Sequence, residues 1–215
     1  IYENDAWLRN QLFSLIEPFE LKTKTVVANY LSLKYGPDVF YIYGIYQDIN
    51  AWQNTMNIVL HEIKRDPTNP VVSWHLKQYD GMFPIWVLIE FFTLGSLSRF
   101  YGNLNNIDKN EIADVFNISG YFLKSWLKSI SLLRNLCAHT GQLFRRTYTS
   151  PPTLPNFFGW PTNDNRQLFA LALVLKRLST KTNWQTFAYA LDQRDINQPF
   201  LTDYGFPQNW RDYLM

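Results

Sequence analysis

Apolar residues along this chain recur at steps of three and four, and no apolar–polar alternation persists long enough to read as a strand. The pattern predicts an all-α protein. A first helical region runs from Asp5 to Lys34, with Asp5 as N-cap, Pro18 as a kink or boundary and Gly36-Pro37 as the stop. Asp48 to Lys64 places Ile49, Trp52, Met56, Val59, Leu60 and Ile63 on one face, and Val71 to Tyr79 is a shorter helix between Pro70 and Asp80-Gly81. Ile85 to Tyr101 is apolar nearly all round, opened by Pro84 and closed by Gly102, and is predicted as the central buried helix. Asp108 opens a short helix through Phe116, and Ser119 caps a longer one that runs to about His139. Four prolines between Thr147 and Thr162 (Pro151, Pro152, Pro155, Pro161) predict a long loop after that helix. Helices near Asn165 to Leu178 and Trp184 to Asp192 follow, then a tail with Trp210.

Composition narrows the picture. At 215 residues and 47% apolar the chain suffices for one sizeable core, so residues 1–215 are expected to form one domain. A formal charge of only +2 excludes a highly basic nucleic-acid coat, and any RNA-binding surface must be a local patch. The lone cysteine, Cys137, excludes an internal disulfide and a Cys-rich zinc site; it fits a reducing, cytoplasmic setting. The most apolar stretch, Met82 to Phe92, is broken by Glu90, so no membrane span is expected. The chain opens on Ile1 without a cleavable signal pattern and is expected to lack its natural N-terminal part. His61 and His75 have no acidic or cysteine partners at ligand spacing, and there is neither a Gly-rich phosphate loop nor a Ser-centred nucleophile elbow. No metal and no cofactor are expected.

The chemistry concentrates in Arg134-Asn135-Leu136-Cys137-Ala138-His139. Guanidinium grips phosphate oxygens through a planar fork of donors, and imidazole is the side chain best able to move a proton near neutrality, so the pair suits work on a phosphodiester. Leu123, Trp126, Leu127, Ile130, Leu133 and Cys137 form one apolar stripe, and Arg134 falls inside it. A permanent charge aimed at packed surface needs compensation, and Glu90, set between Ile85-Trp86-Val87-Leu88-Ile89 and Phe91-Phe92, is the expected partner. Arg134 and Glu90 then form either a purely structural salt bridge or part of a site. His139 lies five residues on, turned roughly 140° from Arg134 on an unbroken helix, whereas Asn135 shares its face and is placed to orient the ring. Either the helix breaks near Gly141 and reorients His139, or a second copy faces the first across a two-fold axis. The simpler alternative is a histidine capping a helix C-terminus. Lys124 and Lys128 on the same helix, with Arg145 and Arg146 after it, either track an RNA backbone or form ordinary solvated surface. Tyr148 and Trp160 either stack on bases or pin the loop to the core. Cys137 reads as a packed thiol.

Pro84-Ile85-Trp86-Val87-Leu88-Ile89-Glu90, Leu94-Gly95-Ser96-Leu97-Ser98 with Phe100-Tyr101, and the Arg134–His139 block resemble the bacterial abortive-infection (Abi) family of the AbiD/AbiF type. Ile16-Glu17, Tyr35-Gly36, Gly205-Phe206-Pro207 and Trp210 extend the resemblance over almost the whole chain. That family belongs to the HEPN superfamily, whose active members are metal-independent endoribonucleases acting as dimers. The resemblance therefore implies a HEPN-like helical bundle and a homodimeric RNA-cleaving toxin of phage defence or a toxin–antitoxin-like system. tRNA is among its candidate substrates, and a small RNA is its candidate antitoxin. It implies that Arg134 holds the scissile phosphate, that His139 is the general acid or base, and that Asn135 occupies the polar position beside them. Thr140 and Gln142-Leu143-Phe144-Arg145-Arg146 depart from the family, which often has a second histidine and a downstream Arg-Leu there. The alternative is a non-catalytic HEPN module that binds RNA or a protein.

Overall fold

The periodicity of the sequence is realised as an all-α fold in the computed structural model, which describes residues 1–161 and 164–215. Ten α-helices are described: α1 (Tyr2–Tyr35), α2 (Ile49–Arg65), α3 (Pro70–Gln78), α4 (Ile85–Leu88), α5 (Leu94–Asn103), α6 (Asn106–Asp114), α7 (Gly120–Ala138), α8 (Leu168–Leu178), α9 (Lys181–Asn197) and α10 (Trp210–Leu214). Among the described residues the only β-type pairing is an isolated bridge between Tyr46 and Leu104. No described helix is long and apolar enough to cross a membrane. The chain forms two compact units: Ile1–Glu20 with Ser125–Met215, and Leu21–Lys124.

In the second unit, Phe40, Phe92 and Phe100 pack with ring centroids 5.3–5.9 Å apart, and Trp52 closes the cluster by donating from its indole to the Phe40 carbonyl. Helix starts follow local chemistry: Asp48 accepts from the Asn50 and Ala51 amides, Asn69 caps α3 with Pro70 at its first position, and Asn105 caps α6. The predicted apolar helix from Ile85 to Tyr101 is interrupted. After α4 a 3-10 turn covers Ile89–Phe91, Phe92 is extended, and Thr93 accepts from the Ser96 amide to begin α5. A side-chain cap inside an apolar run overrides the run, because it satisfies amides that an extended Phe92 leaves without helical partners. The interruption leaves Glu90 exposed.

One carboxylate of this unit is fully buried. Asp108 accepts from Lys34 Nζ at 2.8 Å, Tyr30 Oη at 2.8 Å, Asn105 Nδ2 at 2.7 Å and Tyr35 Oη at 3.1 Å. Burial alone raises its pKa, but the hydrogen bonds from Lys34, Tyr30 and Tyr35 outweigh this and hold it below the ordinary carboxylate value.

In the first unit, Trp126, Leu127, Ile130 and Leu133 of α7 are fully buried, and α8 is the helix enclosed on nearly every side, from Leu168 through Leu175. Pro18 does not end α1: Leu15, Ile16 and Phe19 around it are buried, while Pro18 and Ser14, whose carbonyl loses its helical partner, face water. The proline-rich segment is tied down through its backbone. Trp126 Nε1 donates to the Thr153 carbonyl at 2.7 Å, the Thr153 amide donates to Ser125 Oγ at 2.8 Å, and the Tyr148 amide donates to the Arg166 carbonyl at 2.8 Å. Thr162, where the loop was expected to end, lies outside the described residues. Gly205, at φ +79°, closes the turn before Phe206, and a Cβ there would sit 2.5 Å from Gln167.

A folded-state pKa below the unfolded value means that Asp108 contributes stability above the unfolded carboxylate pKa of about 3.9, and that the contribution is lost as pH falls further. Asp108→Asn is expected to cost about 2 kcal/mol at pH 7, on the scale of a hydrogen bond to a charged group. Urea unfolding at pH 7 and pH 3 measures this: the deficit relative to the parent chain should shrink at pH 3, and an equal deficit at both would refute the assignment.

Candidate functional site

Helix α7 ends at Ala138, one residue short of the motif histidine. The His139 amide still donates to the Asn135 carbonyl at 3.0 Å, Thr140 turns into the left-handed region at φ +53°, and the Gly141 amide returns to the Leu136 carbonyl at 2.7 Å. This is a Schellman-type closure with threonine where glycine is usual. Glycine is required one residue later, because a Cβ on Gly141 would lie 2.6 Å from Leu136 Cδ2 and 3.1 Å from its Cα. His139 is therefore exposed, at the point where the chain leaves the helix. It touches Asn135 through the backbone, and no hydrogen bond joins their side chains among the described residues. Asn135 itself is exposed.

Arg134 keeps the half-buried position that the apolar stripe dictates, with 29% of its side chain exposed. The carboxylate beside it is Glu20 of α1, 3.7 Å from Nε, and the guanidinium lies 5.8 Å from the centroid of Phe13 on the same helix. Glu20, and not the exposed Glu90, answers the need for compensation in this unit. At 3.7 Å the contact is electrostatic without a hydrogen bond, and the buried Nε has no hydrogen-bond partner. Among the described residues Arg134 thus holds its charge in place while its donor fork stays uncommitted.

The segment leaving the motif is fixed from α1 as well. Asp5 was expected to cap its own helix; the helix already starts at Tyr2, and the Asp5 carboxylate instead accepts from the amides of Leu143 (3.1 Å) and Phe144 (2.9 Å). Arg9 donates to Asp5 at 2.6 Å and to the Gly141 carbonyl at 3.2 Å. Both residues are buried. Asp5, Arg9, Phe13 and Glu20 are the site residues that the motif alone did not reveal; their one sequence signal is that the charged residues Asp5, Arg9 and Glu20 recur at helical spacing among the apolar positions of α1.

The remaining predicted residues separate. Asn135 and Arg146, with Leu132, Leu136, Thr147 and Tyr148, line a cleft of ≈250 Å³. Lys128 is exposed on α7, and Lys124 is exposed in the other unit with its stem beside Gly102. Arg145 is spent on Asp203 at 2.9 Å. Tyr148 is buried and offers no open stacking platform, which favours its loop-pinning role; Trp160 packs on Trp126 and Phe158. Burial pushes the Cys137 thiol up to about 12, which makes it a packed group without thiolate character at neutral pH. His75 stacks on Phe83 in the second unit, and His61 is exposed beside Glu62.

The model for Abi-like proteins matches residues 1–145 of this chain. The chain belongs to the Abi-like protein family. The matched span contains the whole Arg134–His139 block and the α1 residues that support it, and it stops before the proline-rich segment, so the Gly205-Phe206-Pro207 and Trp210 resemblance lies beyond it. No curated protein and no solved structure matches the chain. Membership in the Abi-like family suggests a role in abortive infection, a form of phage defence.

Asp5→Ala strands the buried Arg9 charge and two amides, so a loss of about 3–5 kcal/mol is expected, lowering Tm by roughly 10 °C. The Asp5→Leu/Arg9→Leu double variant removes both charges and should recover much of that loss. Thermal denaturation of the set decides it: a double variant as unstable as the sum of the two singles would show that the pair is not coupled.

Proposed function

We propose that this Abi-like protein is a metal-independent endoribonuclease of the AbiD/AbiF type within the HEPN superfamily, acting as a toxin in phage defence. The observation that carries the reading is the state of Arg134: a half-buried guanidinium beside Glu20 and Phe13, without a hydrogen bond among the described residues, on the last turns of a helix that ends one residue before an exposed histidine. Such an arginine has its charge prepaid by the fold and its donors free for phosphate oxygens, which is what stabilising a phosphorane-like charge requires.

In this reading the ribose 2′-oxygen attacks the adjacent phosphorus and the P–O5′ bond breaks. His139 takes the 2′-hydroxyl proton or supplies one to the departing 5′-oxygen, Arg134 neutralises the phosphate oxygens, and Asn135 supplies a polar contact. The products are a 2′,3′-cyclic phosphate and a 5′-hydroxyl. Arg146, which lines the same cleft as Asn135, and the exposed Lys128 guide the RNA backbone. One histidine at a helix end and one arginine on its flank leave the second proton transfer unassigned, and a homodimer that brings two motifs together supplies it. The second reading, a non-catalytic RNA- or protein-binding module, is favoured by the absence of a second motif histidine, where Thr140 stands.

The purified protein in EDTA should cleave total RNA or tRNA to cyclic-phosphate ends, and Arg134→Ala and His139→Ala should each reduce the rate by at least about 100-fold, the scale of lost general acid–base catalysis. Equal cleavage by all three proteins, or none by any, would remove the nuclease reading. Light scattering at high protein concentration tests the dimer separately; a strictly monomeric, active protein would eliminate the two-motif site.

A further inference from the structure

In the second unit a cleft of ≈630 Å³ opens where α3, the turn after it, the start of α4 and Pro37-Asp38 meet. It holds none of the motif residues and lies within the size range of small-ligand sites. Three aromatic side chains in its lining, Trp74, Tyr79 and Trp86, each leave about half of their surface to water. Large rings gathered at one exposed place gain from a ligand that covers them. Two of them are fixed: the Trp74 ring lies 4.9 Å from that of His75 and 5.0 Å from that of Tyr79, and the Tyr79 and Gly81 amides both donate to the His75 carbonyl, at 3.0 and 3.2 Å.

The charge of the lining is one-sided. Asp38 and Asp80 supply two carboxylates, and neither lysine nor arginine lines the cleft. Among the described residues neither carboxylate has a side-chain hydrogen bond or an ion pair. His75 adds a buried acceptor. It is only 6% exposed, is stacked on Phe83 with centroids 5.0 Å apart, and joins Nδ1 to the Val71 carbonyl at 2.8 Å. A carbonyl only accepts, so Nδ1 carries the proton and the neutral ring keeps Nε2 as an acceptor. That Nε2 has no hydrogen-bond partner among the described residues.

An anion would face two carboxylates and the negative faces of the rings. A neutral apolar ligand would cover the rings and strip water from the carboxylates without replacing it. A bare metal ion would ignore the rings, and nowhere among the described residues do three His, Cys, Asp or Glu side chains gather to hold one. A cation that carries N–H donors on an apolar stem uses the rings, the carboxylates and the imidazole together. We propose that this cleft binds an alkyl guanidinium or alkyl ammonium ion, its charge met by Asp38 and Asp80 and its stem covered by Trp74, Tyr79 and Trp86. The inference rests on the second unit alone and is independent of RNA cleavage at Arg134. The cation is either a free small molecule or an arginine or lysine side chain of a peptide.

Isothermal titration and tryptophan fluorescence of the full chain measure binding of N-acetylarginine amide, its neutral isostere N-acetylcitrulline amide, tetramethylammonium and acetyl-Leu-Arg-Leu-amide. The arginine amide should bind saturably and about tenfold tighter than the citrulline amide, the scale of a partly desolvated cation–π contact. Tetramethylammonium, which has no N–H, should bind more weakly than the arginine amide. A tripeptide that binds far more tightly than the single residue identifies a peptide as the source, and equal affinity identifies a free cation. Asp38→Asn/Asp80→Asn should weaken the arginine amide by about fivefold or more, leave the citrulline amide unchanged and flatten the salt dependence. Trp86→Leu should weaken both amides. All three positions are exposed, and thermal melts verify that each variant is folded. No saturable binding of the arginine amide, a citrulline amide that binds as tightly, or affinities unchanged in both variants would overturn the proposal.

Discussion

A single buried carboxylate, that of Asp5, decides how the chain leaves the motif helix. It accepts the Arg9 guanidinium and two backbone amides at residues 143 and 144, while Arg9 reaches on to the Gly141 carbonyl. A backbone reversing direction after a helix exposes amides and carbonyls that must find partners, and here one ion pair supplies both kinds. Because the charges are desolvated, the pair stabilises only as a complete set with its amides. That constraint fixes Thr140 in its left-handed conformation and keeps Gly141 against Leu136, and it places His139 at the exposed corner.

Arg134 is handled differently. Asp5 and Arg9 are joined by a 2.6 Å hydrogen bond, whereas Arg134 and Glu20 stand 3.7 Å apart with the Arg134 Nε unsatisfied. The first geometry is that of a structural pair. The second leaves part of the hydrogen-bonding capacity of a half-buried cation unused, a cost that a packed structure normally avoids. Two arginines served by the same helix thus divide into one that holds the backbone and one whose buried Nε is left without a hydrogen bond among the described residues.

The clefts divide by chemistry. In the first unit Arg146 and Asn135 share one beside the motif helix. The larger cleft of the second unit, ≈630 Å³, has Asp38, Asp80, Trp74, Tyr79 and Trp86 in its lining and neither lysine nor arginine, so it does not suit a polyanion. A net charge of +2 conceals this distribution, since it averages over patches that have formed separately.

Helical periodicity determined the all-α class, and local signals set many helix ends: Asp48, Pro70, Gly36 and the four prolines acted at short range, where neighbouring residues alone fix the outcome. The half-burial of Arg134 was legible too, because its place in the stripe of α7 is a matter of angle along one helix. What periodicity does not carry is the identity of a partner distant in sequence. Glu90 was the conspicuous carboxylate in an apolar run, yet the Thr93 cap broke the run and turned Glu90 to water, while Glu20 of α1 took the place beside Arg134. Asp5 looked like a cap for its own helix and instead caps a turn some 140 residues away, and the aromatic cleft of the second unit draws on α3, α4 and the segments that follow α1 and α3. Such groups meet only after their elements have packed, so tertiary structure alone decided the ion pairs and the clefts, whereas the sequence by itself determined the helices and where their charges point.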